Sequence, residues 1–81
     1  MYEERNFGFA LRHLKDGKTV YRDGWNGKGM YLFLDENPCG PEGMTYEPVI
    51  VMFTAQCLFQ PGWLASQADM LSDDWCEVAV S

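Results

Sequence analysis

The chain has 81 residues, twelve acids against six bases and a net charge of −6, which describes one small acidic domain spanning residues 1–81. Such a chain lacks the Lys/Arg surface that displaces counterions, so non-specific DNA or RNA binding is excluded. No run approaches the roughly 18 apolar residues of a membrane span, and residues 1–5 lack the basic-then-apolar order of a signal peptide, so the chain is expected to stay where it is made.

Three cysteines, Cys39, Cys57 and Cys76, form neither an even framework nor a C-x-x-C pair, which points to free thiols in a reducing cytosol and to no zinc site. The charge is unevenly spread. All six bases lie in residues 1–28 with four acids, a balance of +2, and the other eight acids leave −8 beyond residue 28. A domain this short buries only about 60% of its unfolded surface, yet 47% of the chain is hydrophobic and 15% aromatic.

In chain order, residues 7–15 predict a helix, because Phe7, Ala10, Leu11 and Leu14 fall on one face. Asn6 is a suitable N-cap, Gly17 a suitable C′ residue, and Lys15 complements the dipole. Residues 19–22 read as a short strand and residues 30–34 as a second. Asn26-Gly27 between them predicts a type I′ hairpin turn. Residues 35–44, with two Pro and two Gly, predict a loop. Residues 48–54 form a third strand, and residues 56–59 a fourth after a turn near Ala55, broken by Pro61-Gly62. Residues 65–71 read as a short helix in which Ser66 and Asp69 make a variant capping box. Residues 75–80 alternate as a last strand.

The fold class is therefore α+β: a small antiparallel sheet with an N-terminal helix and a short helix before the last strand. Residues 30–34 and 49–53 are apolar on both faces, as in a sheet covered on both sides. Two short helices cannot supply that cover, so the protein is expected to be oligomeric.

No catalytic set is legible. His13 is the single histidine, and nothing beside it resembles a triad or a Cys-His pair. The Asp73-Asp74 pair reads as solvated. No metal or cofactor is expected. Gly24-Trp25-Asn26-Gly27-Lys28-Gly29 lacks P-loop spacing and reads first as a turn, although Trp25 offers a flat face for a base. Trp63-Leu64-Ala65-Ser66-Gln67-Ala68-Asp69-Met70-Leu71 gathers an aromatic, a hydroxyl, an amide and a carboxylate at a helix start. Ligand contact and plain capping with a core Trp are both open there.

These two segments, with the flanking Phe7-x-x-Ala10-Leu11-x-x-Leu14-Lys15 and Asp74-Trp75, resemble a phage and prophage family that includes the type II Thoeris anti-defence proteins. The resemblance runs from about residue 6 to residue 79. It implies a homotetrameric signal sponge in the cytoplasm of the infected bacterial host. Such a sponge binds a cyclic ADP-ribose isomer (glyco-cyclic ADP-ribose) without cleaving it, blocking Thoeris immunity, and some members take up cyclic di- or trinucleotides of CBASS or type III CRISPR at a separate site. It implies a non-enzymatic role.

Combined with the residue chemistry, it nominates Arg22, Trp25, Asn26, Met30, Trp63, Ser66, Gln67 and Asp69 as ligand-binding residues. Trp25 or Trp63 would stack on the adenine. Arg22 or Lys28 would meet the diphosphate, the fork of Arg22 favouring it. Asn26, Ser66, Gln67 and Asp69 would take ribose hydroxyls or the base edge. A competing structural reading pairs Arg22 with Asp23 or Asp74. The alternative function is a phage accessory module that binds a host protein.

Overall fold

The computed structural model describes residues 4–78. Helix α1 spans Phe7–Lys15, strand β1 Val20–Arg22, β2 Tyr31–Asp35, β3 Val49–Phe53, β4 Phe59–Pro61, helix α2 Gln67–Leu71 and β5 Trp75–Glu77. The strands form one antiparallel sheet in the order β4-β3-β2-β1-β5. The last strand thus returns beside the first, and both helices are spent before or within that return. The α+β expectation holds.

Local chemistry sets the helix ends. The Asn6 side chain accepts a hydrogen bond from the Phe9 N–H at 3.0 Å, satisfying a donor that a first turn otherwise leaves open. Gly17 sits at φ +81°, the left-handed position that ends helices. In α2, Ser66 Oγ accepts from the Asp69 N–H at 3.1 Å, and Asp69 Oδ2 accepts from the Ser66 N–H at 3.0 Å. This is the reciprocal capping box, with Asp in the place usual for Glu.

Strand register assigns the faces, because partners across a ladder share a side and neighbours alternate. Val20, Leu32 and Trp75 lie on the α1 side, are buried, and pack with Phe9, Ala10 and Leu14 into the core. The buried face of α1 is wider than the stripe read from periodicity. Phe9, which lay outside that stripe, is buried with its ring against His13, centroids 3.9 Å apart.

Three expectations are corrected. The 23–30 connection is not a two-residue type I′ turn. Neither Asn26 nor Gly27 has positive φ, whereas Gly29 does, at +82°. Asp23 N–H donates to the Asp74 carbonyl at 3.1 Å and Gly24 N–H to Asp74 Oδ2 at 2.7 Å, so contacts with the distant β5 entry overrule the local turn preference. The fourth strand runs from Phe59 to Pro61, not residues 56–59. Gln56 and Cys57 belong to the turn, where Cys57 takes φ +63° and its N–H donates to the Thr54 carbonyl. Pro61 is tolerated because β4 is an edge strand. Asp74 is not simply solvated, as the site below shows, although Asp73 is exposed. Of the last strand, residues 79 and 80 lie outside the described residues.

The face opposite α1 carries Tyr21, Tyr31, Phe33, Val51, Phe53 and Phe59. Tyr31 stacks on Phe53 with centroids 5.0 Å apart, and Phe53 meets Phe59 at 5.3 Å. The loop between β2 and β3 folds over one end of this face, where Pro38 and Val51 are buried. Among the described residues, no helix packs on the other end.

Candidate functional site

The Trp25 loop is held by a carboxylate hub. Asp69 Oδ1 accepts from Arg22 Nη1 at 2.9 Å and from Trp25 Nε1 at 3.1 Å, while Oδ2 takes the Ser66 N–H. Arg22 Nε donates to Asp74 Oδ1 at 2.9 Å, and the second oxygen of Asp74 takes the Gly24 N–H. Both partners of the Arg22–Asp69 pair are largely buried, their side chains 14% and 11% exposed.

Burial pushes the Asp69 carboxyl up. The Ser66 backbone N–H, Arg22, Trp25 and the Ser66 hydroxyl outweigh it, so the group lies below the usual carboxylate range. The Arg22 bond likewise lowers Asp74, against a smaller burial effect and with help from the Gly24 N–H. Both acids in turn raise the Arg22 guanidinium further. All three groups therefore stay charged at neutral pH.

Behind the hub the three tryptophans of the chain meet edge to face. Trp25 lies 5.5 Å from Trp75 and 6.4 Å from Trp63, and Trp63 lies 6.3 Å from Trp75, separations at which such pairs attract beyond their area. Trp75, fully buried, donates its Nε1–H to the Asp69 carbonyl at 3.0 Å. Arg5 closes the back of the loop. Its Nε donates to the Trp75 carbonyl at 2.7 Å and its Nη2 pairs with Asp23 at 3.0 Å.

The front of the loop forms a cleft of about 250 Å³ lined by Tyr21, Arg22, Asp23, Trp25, Gly27, Lys28, Gly29 and Met30. Of the residues nominated from sequence, Arg22, Trp25, Ser66 and Asp69 are joined in one hydrogen-bonded network. Trp63 touches its indole layer, and Met30 and Lys28 line the cleft. Asn26 is exposed on the loop and does not line the cleft, and Gln67 is exposed on the first turn of α2. Arg22 pairs with Asp74, as the competing structural reading had it, and with Asp69 rather than with Asp23.

Sequence reasoning missed Tyr21, and it named Asp74 only as one of two alternative partners of Arg22, not as part of the site. The spacing of Asp69 and Asp74 around a short helix was the available signal for Asp74, since it lets both carboxylates converge on one guanidinium. His13 is remote in role: Nδ1 bonds the Phe9 carbonyl at 2.9 Å and Nε2 faces Glu77 at 3.4 Å. Cys39, Cys57 and Cys76 are free thiols, and among the described residues no cluster of ligating side chains fit for a metal occurs.

Both motifs that build this network fall inside the span of one family domain. The sequence profile of the Thoeris anti-defense 2-like domain matches residues 5–78. The chain belongs to that family. It is 38% identical over 86 residues to Thoeris anti-defense 2 of Bacillus phage SP01, an alignment covering 93% of this chain and 96% of that protein. In this Thoeris anti-defense 2-like domain, the segments bearing Trp25 and Asp69 lie 44 residues apart in sequence, and the hub joins them.

Proposed function

We propose that the protein is a phage anti-defence factor that sequesters a cyclic ADP-ribose-type signal in the cytoplasm of the infected host, without cleaving it. The observation carrying this reading is the hydrogen-bonded Trp25 loop. An indole and a guanidinium are fixed beside a cleft by a hub with no nucleophile–base pair in it. Binding without turnover requires pre-organisation and not proton transfer.

The assignment of roles follows from what is already engaged. Arg22 has Nε and Nη1 committed to Asp74 and Asp69, so it meets a phosphate oxygen through Nη2, and the exposed Lys28 supplies the second cation. Trp25 and Met30 give the apolar surface for the base. Asn26, Ser66 and Gln67 stand at the margin for ribose hydroxyls.

A cleft of about 250 Å³ is smaller than the roughly 300–1,000 Å³ typical of small-ligand sites. It adjoins the uncovered end of the aromatic face through Tyr21, Met30 and Tyr31. Both facts support completion of the pocket by a second copy of the chain in a homotetramer. The decisive experiment incubates the purified protein with glyco-cyclic ADP-ribose, removes protein by filtration or by heating, and analyses what is left. Depletion after filtration with intact ligand recovered after heating supports the reading. A cleaved product overturns it in favour of an enzyme. No depletion overturns it in favour of a protein-binding module, for which the exposed Leu64 before α2 and Leu71 at its end would be the contact surface.

A further inference from the structure

The end of the aromatic face beneath the β2–β3 loop is a second cavity, of about 730 Å³. Its floor is the cross-strand row Phe33, Val51 and Pro61, with the Phe59 ring edge-on to Phe33 at 5.7 Å. Its wall is a small hairpin closed by the Cys39–Thr45 bridge, in which the Tyr46 N–H donates to the Pro38 carbonyl at 3.0 Å. Gly40 seats the tyrosine: a Cβ there would lie 2.6 Å from the Tyr46 ring, so the close approach requires glycine.

Two carboxylates, Asp35 and Glu47, also line the cavity, and no basic residue does. Neither acid has an ion-pair partner among the described residues, and every Lys and Arg of the chain lies in residues 1–28.

We propose that this cavity is a binding site for an organic cation, an amine or quaternary ammonium that carries apolar groups. Aromatic faces attract a cation through their quadrupole, and the rings of Phe33, Tyr46 and Phe59 line the cavity. Asp35 and Glu47 balance the charge, while Val49, Val51 and the three prolines take the hydrocarbon part. The volume lies within the range usual for small-ligand sites. The same lining repels phosphates, because it offers two uncompensated negative charges and no cation. The site is therefore chemically opposite to the Trp25 cleft and independent of what that cleft binds.

Titration of the protein with phenyltrimethylammonium chloride, followed by backbone amide NMR, tests this. Saturating shifts are expected at Cys39, Val49, Val51 and Gly62, and sodium benzenesulfonate, matched in ring but opposite in charge, should produce none there. The double variant Asp35→Asn/Glu47→Gln should weaken the cation about tenfold while its melting temperature stays near that of the parent, and Tyr46→Leu should weaken it about fivefold. Equal response to benzenesulfonate, shifts that fail to saturate by about 10 mM, or unchanged affinity in the carboxylate variant would each overturn the proposal.

Discussion

Replacing Asp69 by Asn probes the hub with almost no change of volume. The carboxylate accepts three hydrogen bonds, from Arg22 and Trp25 on Oδ1 and from the Ser66 N–H on Oδ2. An amide has one oxygen and one donor nitrogen. In one orientation its NH₂ faces the Ser66 N–H, and in the other it faces Arg22 and Trp25. Either way a buried donor is orphaned, at about 1–3 kcal/mol. The Arg22 bond also loses its charge assistance, which costs about a further 1 kcal/mol. Arg22 keeps Asp74, which holds the total to about 2–4 kcal/mol. In a domain of this size each kcal/mol moves the melting temperature by about 4–8 °C, so a fall of roughly 8–32 °C is expected.

Differential scanning calorimetry gives that number. Tryptophan emission gives its location, because all three indoles adjoin the hub and the spectrum should shift red as Trp25 becomes wet. Gln67→Ala, two residues away but exposed, should stay within about 0.5 kcal/mol of the parent. A melting temperature of Asp69→Asn within about 3 °C of the parent would refute the claim that this carboxylate fixes the loop.

The acid limb of stability follows from the same groups. Asp69 and Asp74 are lowered in the folded state, so the unfolded chain binds more protons. Their stabilisation is full above the ordinary carboxylate value and is lost as pH falls below about 4. Thermal melts from pH 6 to 3 should therefore fall steeply at the acid end, and less so in Asp74→Asn. Trp25→Ala should weaken the signal nucleotide by roughly 1–3 kcal/mol in calorimetric titration, whereas His13→Ala should leave affinity unchanged; the reverse pattern would misplace the site. Phe53→Asp, at the uncovered end of the aromatic face, should dissociate an oligomer that light scattering detects in the parent. A parent already monomeric at micromolar concentration would remove the interface argument.

Much of this architecture is written locally. Asn6, Gly17 and the Ser66–Asp69 capping box sit within a few residues of the helices they delimit, and their hydrogen bonds form within those turns, so the helix positions follow from sequence alone. The alternation and apolar runs of residues 30–34 and 49–53 likewise mark strands and an unusually apolar second face. The family motifs nominated Trp25 and Asp69 together, and sequence alone identified Arg22 as the cation with a fork geometry.

Tertiary structure decided what those residues do. The 23–30 loop abandons the type I′ turn that Asn26-Gly27 favours, because Asp69 and Asp74 capture Trp25, Gly24 and Arg22 across the fold, and no local signal encodes a bond spanning 44 residues. β4 begins later than its apolar run because Cys57 at φ +63° absorbs the turn. In sequence Asp74 reads either as a solvated acid or as one of two possible partners of Arg22, and the return of β5 beside β1 decides for the pair. The departures at the Trp25 loop and at Asp74 share a cause: short-range preference is worth at most about 1 kcal/mol per residue, and a buried charge-assisted hydrogen bond is worth more.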